Sequence, residues 1–142
     1  MRVIVTGSRT WPDPKQVRDV LDKLYLQSLQ EGEEFTLVHG GAKDGADLFA
    51  HEWADQVRRF GAFGITEVVY EVTPEMWRKS KGAGLARNTV MINDGGDVVQ
   101  VFGTWCALKR CKYGPERHLT HGTKDALTKA REVGLQVEVH GP

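Results

Sequence analysis

The sequence has no excess charge of either sign: 19 lysines and arginines stand against 19 aspartates and glutamates in 142 residues. So balanced a chain carries no global field toward nucleic acid or an anionic membrane, and either contact would have to come from a local patch. No apolar run approaches the ~18 residues that a membrane span needs. Two cysteines are too few for the disulfide framework of a small secreted domain. Internal repeats and low-complexity linkers are also missing. Met1 leads directly into a strand-like segment where a signal sequence would otherwise stand. The expectation from these absences is a cytoplasmic protein without a membrane partner. Its residues 1–142 should form a single domain, long enough to bury one core.

What is present alternates between strand and helix. "RVIVT" (2–6), "FTLVHG" (35–40), "TEVVYEV" (66–72), "DVVQVFG" (97–103) and "LQVEVH" (135–140) are rich in β-branched residues and read as strands. "DPKQVRDVLDKLYLQSLQEG" (13–32) opens with Asp13 as N-cap, Pro14 at the first helical position and Gln16 at the capping-box position. Its inward stripe is Val17, Val20, Leu21 and Leu24. The helix after the second strand should bury Ala46, Phe49, Ala50, Trp53 and Val57. Shorter helices are expected over 84–94 and 123–134. The pattern predicts an α/β, Rossmann-like, doubly wound fold with a mainly parallel five-stranded sheet flanked by helices. Two stretches fall outside it, 73–84 and an insertion at about 104–121. Both follow strands, so both belong to the carboxyl edge, where such folds bind ligands.

Glycine collects at that edge. After the second strand, "HGGAKDGAD" runs from His39 through Gly40, Gly41, Ala42 and Gly45 to Asp47. It departs from G-x-G-x-x-G and lacks the Lys-Ser/Thr of a Walker A loop. What remains is a loop whose backbone could approach an anion, with helical N–H groups behind it and Asp47 placed for ribose hydroxyls. A tight turn with no ligand would use the same glycines. Other strand ends add Gly7, Ser8 and Arg9, then Gly103, then Gly122 and Thr123; Arg87 and Asn88 lie on the short helix. A phosphorylated, ribose-bearing ligand accounts for glycines and guanidiniums on one edge. His39 could contact it, whereas His51 reads as a histidine satisfied near the core. "WRKSKG" (77–82) reads as a solvated loop whose Trp77 could cover a base or stack on a single strand.

"VIVTGSR", "VHGGAKDGAD", "GLARNTVMIN" and "HGTKDALTKAREVGLQV", in this order, resemble the SLOG superfamily, and within it the YspA, cpYpsA-related family. The resemblance implies a Rossmann-like domain binding a nucleotide or a nucleotide-derived ligand, in a sensing or sequestering role, and it implies a homodimer. The superfamily also contains the LOG phosphoribohydrolases, which cleave nucleoside 5'-monophosphates, and the DNA-processing protein DprA. LOG enzymes carry P-G-G-x-G-T-x-x-E with a catalytic glutamate. Here the motif reads His121, Gly122, Thr123, Lys124, Asp125, Ala126, with alanine in the glutamate position. Arg87 matches the upstream LOG arginine, and Asp47 and Asp125 are the carboxylates left to stabilise an oxocarbenium-like state. An N-glycosidase acting on nucleoside monophosphates is therefore the alternative to binding alone. DprA-like single-stranded DNA binding is a second alternative, opposed by the charge balance and by the lack of a basic stripe.

The insertion carries Cys106, Cys111, His118 and His121 at C-x4-C-x6-H-x2-H spacing. Paired thiolates and imidazoles suit tetrahedral zinc, and a structural zinc would order a loop poor in apolar residues. Free thiols and solvated or ligand-facing histidines are the other reading of the same spacing.

Overall fold

A computed structural model describes residues 1–142. Five strands form one sheet, wholly parallel: β1 (Arg2–Gly7), β2 (Phe35–His39), β3 (Ile65–Val69), β4 (Val98–Phe102) and β5 (Val137–His140), in the spatial order β3-β2-β1-β4-β5. The helices are α1 (Pro14–Gln30), α2 (Gly45–Arg59), α3 (Pro74–Lys79), α4 (Ala83–Asn93) and α5 (His121–Glu132). The expected doubly wound α/β architecture is present, and "mainly parallel" becomes entirely parallel. None of the helices is long and apolar enough to cross a membrane.

Alternation along the central strand divides the core. Val3 and Val5 face α1 and α2, joining Val17, Leu21, Phe35, Leu37 and Trp53. Ile4 faces the other side, with Met91 and Ile92 from α4 and Leu127 and Ala130 from α5. The stripes read from the helices hold: Val17, Leu21, Ala46, Ala50 and Trp53 are buried, with Val20, Leu24, Phe49 and Val57 packed at the margin. Asp13 caps α1, its carboxylate accepting from the Gln16 N–H at 3.1 Å. The Trp53 indole donates to Asp22 Oδ1 at 2.8 Å and ties α2 to α1.

One element arises where a solvated loop is expected. Residues 74–79 form α3, capped by the Thr73 hydroxyl, which accepts from the Met76 N–H at 3.2 Å. Thr73 as N-cap and Pro74 at the first position were a readable start signal.

The chain winds outward from β1 through β2 to β3, then returns to place β4 on the other flank of β1. That reversal opens a crevice at the carboxyl ends of β1 and β4, the topological switch point.

Candidate functional site

A cavity of about 490 Å³ fills the switch-point crevice. Its floor is the end of β1, Thr6 to Arg9; α4 contributes Arg87 and Asn88, and the first turn of α5 contributes His121, Gly122 and Thr123. Trp77 of α3 forms part of the wall, its ring set against Gly84, where a Cβ would stand 2.9 Å from the indole. A smaller cavity of about 290 Å³ adjoins it along the 40–44 loop and shares Arg9, Ala42, Trp77 and Arg87.

The glycine loop is shaped largely by its own neighbours. Gly45 has φ +70°, and a Cβ there would overlap the Ser8 carbonyl and stand 2.7 Å from Arg9 Cα. Position 40 is closed by the Arg87 guanidinium. The Gly41 N–H donates to His39 Nδ1 at 3.0 Å, and the Ala42 N–H to Asp47 Oδ2 at 3.2 Å. Two N–H groups of the supposed anion cradle are therefore already engaged inside the chain.

Uncapped backbone N–H groups are present instead at the start of α5. The hydroxyl of its N-cap, Thr120, lies 2.5 Å from Ser8 Oγ and 3.0 Å from Thr123 Oγ1 instead of capping the helix. The first turn thus meets the cavity without a side-chain cap, positive dipole end outward.

Arg87 is fixed before any ligand arrives. Its Nη1 donates to the carbonyls of Gly40 and, at 3.0 Å, Tyr70; its Nε donates to Asn88 Oδ1 at 2.9 Å. Burial lowers its pKa, the Asp47 charge opposes that, and the positive charge of Arg9 adds to it. Asn88 in turn donates to the Gly122 carbonyl at 3.2 Å and to Asp125 Oδ2 at 3.1 Å, coupling α4 to α5.

The two candidate carboxylates part company. Asp47 lines the cavity and is buried. Burial pushes its carboxyl above the usual aspartate range; the Arg87 charge and the Ala42 and Gly40 N–H groups bring it only part of the way back. Asp125 lies outside the cavity lining, paired with Lys129 at 2.9 Å and with Asn88. Gly45 and Gly103 also serve packing: a Cβ at 103 would stand 2.8 Å from Leu119. His39 is buried beneath the loop, its Nε2 2.8 Å from Glu67 Oε2. His51 is exposed, not core-lying, and reaches the same oxygen at 2.8 Å.

Sequence reasoning missed Glu67, Lys81, Lys112 and Thr120. Glu67 joins β3 to β2 and α2 through His39, His51 and Arg58. Only its polar character inside a strand marked it. Lys81 and Lys112 reach the cavity from segments whose paths depend on tertiary packing. The quartet Cys106, Cys111, His118 and His121 does converge, with its ligand-type atoms all within 4.8 Å of one another.

An open parallel sheet with a cavity at its switch point defines a Rossmann-like α/β fold. The model of the YspA, cpYpsA-related SLOG family matches residues 1–60, the stretch from β1 through α2. Gene 61 protein of Mycobacterium phage D29 is 32% identical over 142 residues, spanning 96% of this chain and 93% of that protein. The chain belongs to the YspA, cpYpsA-related SLOG family. Membership connects it with nucleotide-related binding or processing.

Proposed function

We propose that the switch-point cavity binds a nucleotide or a nucleotide-derived small molecule, and that the protein acts as a sensor or sequestering domain for it. One observation carries the reading. Arg9, Arg87, Lys81 and Lys112 surround a cavity whose only carboxylate is Asp47, in a chain of zero net charge. Cations so concentrated repel one another unless an anion joins them, and guanidiniums match phosphate geometry. Phosphate would sit between Arg9 and the first turn of α5, with Trp77 offering a face to a base and Asp47 an acceptor to ribose hydroxyls.

Asp47 also supports a second reading. A buried carboxyl with a raised pKa, at the cavity wall, suits stabilisation or protonation during N-glycosidic cleavage. Against it, Ala126, the residue in the LOG glutamate position, is fully buried. A continuous path for single-stranded DNA has less support still, since these cations surround a cavity and the rest of the chain carries more carboxylates than cations.

Calorimetric titration with adenosine and guanosine mono- and diphosphates, against the unphosphorylated nucleosides, tests the proposal. Saturable binding of a nucleotide but not its nucleoside is expected, with chromatography showing no free base released from the monophosphates. Failure of every nucleotide to bind removes the binding reading. Base release that disappears in Asp47→Asn makes the protein an enzyme.

A further inference from the structure

We propose that Cys106, Cys111, His118 and His121 bind one zinc ion in a closed tetrahedral site that fastens the 103–120 segment to the first residue of α5. These four residues converge in space, with their ligand-type atoms all within 4.8 Å of one another. Cys106 Sγ lies 3.5 Å from His121 Nε2, Cys111 Sγ lies 3.4 Å from His118 Nε2, and the two Nε2 atoms are 3.4 Å apart. Ligands at Zn–S of about 2.3 Å and Zn–N of about 2.0–2.1 Å on a tetrahedron stand roughly 3.3–3.8 Å apart. Both imidazoles present Nε2 to the same point, and both sulfurs face it.

The surroundings prepare these ligands. His118 Nδ1 lies 2.7 Å from the Glu116 carbonyl, so that nitrogen carries the proton and Nε2 keeps its lone pair for a metal. The two arms of the segment are paired antiparallel: Cys106 N–H donates to the His118 carbonyl at 2.8 Å, Thr120 N–H to the Thr104 carbonyl at 3.0 Å, and Trp105 bridges to Leu119. A turn from Cys111 to Gly114 brings the second thiol round. Packing contributes little here, for Trp105, Leu108 and Tyr113 are exposed. Two thiolates neutralise Zn²⁺, their protons passing to solvent, and four protein ligands leave no position for substrate. The role is therefore structural.

The other convergence of metal-ligating groups, His39, His51 and Glu67, behaves differently. His39 accepts the Gly41 N–H at Nδ1, so its Nε2 carries the proton it gives to Glu67, and Arg58 supplies the cation at 3.2 Å. That cluster is complete as a hydrogen-bond network.

Zinc is counted directly with no nucleotide added, although His121 also lines the cavity. Elemental analysis of the full chain, purified without immobilised metal, is expected to give about one zinc per chain. The count should fall at least several-fold in Cys106→Ser and in His118→Ala, and stay unchanged in His51→Ala. Cobalt exchanged into the protein should show the visible bands of a tetrahedral thiolate site. Hydrogen exchange should rise across 104–120 in Cys106→Ser while β1 to β4 keep their protection. A zinc-free native protein that also fails to take up cobalt overturns the site. So does zinc retained by both ligand variants, or lost equally from His51→Ala.

Discussion

Arg87 donates to the carbonyl of Gly40, and the same guanidinium occupies the space that a Cβ at position 40 would need. Residues 47 positions apart in sequence thus share one volume. Gly40→Ala should displace the guanidinium and release its bonds to Gly40, Tyr70 and Asn88. The expected loss is about 2–3 kcal/mol of unfolding free energy in urea. An unchanged midpoint would show that the guanidinium is not needed where it lies.

Arg9 is exposed and separates binding from folding. Arg9→Ala should weaken nucleotide binding by roughly ten- to a hundred-fold, the loss of a charge-assisted hydrogen bond. Its unfolding free energy should stay within about 0.5 kcal/mol of wild type. Titration and denaturation of the same preparation decide it; equal affinity removes Arg9 from the site.

Gly122 lines the cavity, and a Cβ there meets nothing within 4 Å. Gly122→Val should fill the cavity at the first turn of α5 and abolish nucleotide binding while the fold survives. Gly41→Val is a poor probe by comparison, because φ is +72° and its Cβ would stand 2.7 Å from Val69 Cγ1. Normal titration of the Gly122 variant would place the ligand elsewhere.

Asp47 makes stability pH-dependent. The unfolded chain loses this proton near the ordinary value of 3.8, whereas the folded state keeps it to higher pH because the carboxyl is buried. Between those values the native state holds more protons, so its stability falls as pH rises through the window. Asp47→Asn should flatten that fall in urea unfolding measured from about pH 4 to 7. It should also weaken nucleotide binding at neutral pH. Parallel stability profiles for the two proteins would mean that burial does not raise the carboxyl's pKa in the folded chain.

Glu67 acts with the opposite sign. Burial raises its pKa, but the hydrogen bonds from His39 and His51 outweigh burial and hold it below 4.5. Here the unfolded chain binds more protons, so the contribution is complete above 4.5 and lost as acid protonates the folded carboxylate. Glu67→Gln should remove that acid-side loss, and fluorescence-monitored unfolding between about pH 3 and 6 would show whether it does.

Much of the fold was legible because it rests on local signals. β-branched runs mark the strands, Asp13 and Pro14 start α1, and apolar residues at helical spacing face the core. The site was legible only in part. Its glycines were visible, but not that Gly40 yields to Arg87 and Gly45 to the Ser8–Arg9 backbone. Those reasons are contacts between distant segments and leave no periodicity. For the same reason Asp47 and Asp125 were equivalent in sequence, although one lines the cavity and the other pairs with Lys129.

Ser8 and Thr123, whose hydroxyls lie 3.3 Å apart in the cavity wall, are separated by 115 residues. So long a closure comes late in folding, since its entropy must be met before the contact contributes. A chain halted before α5 docks could already have β1 paired with β2 and α2 packed over them, yet it would have no cavity. Any small molecule that fills the cavity therefore reports on the finished fold and on no earlier intermediate, and its uptake during refolding would time the arrival of the last helix.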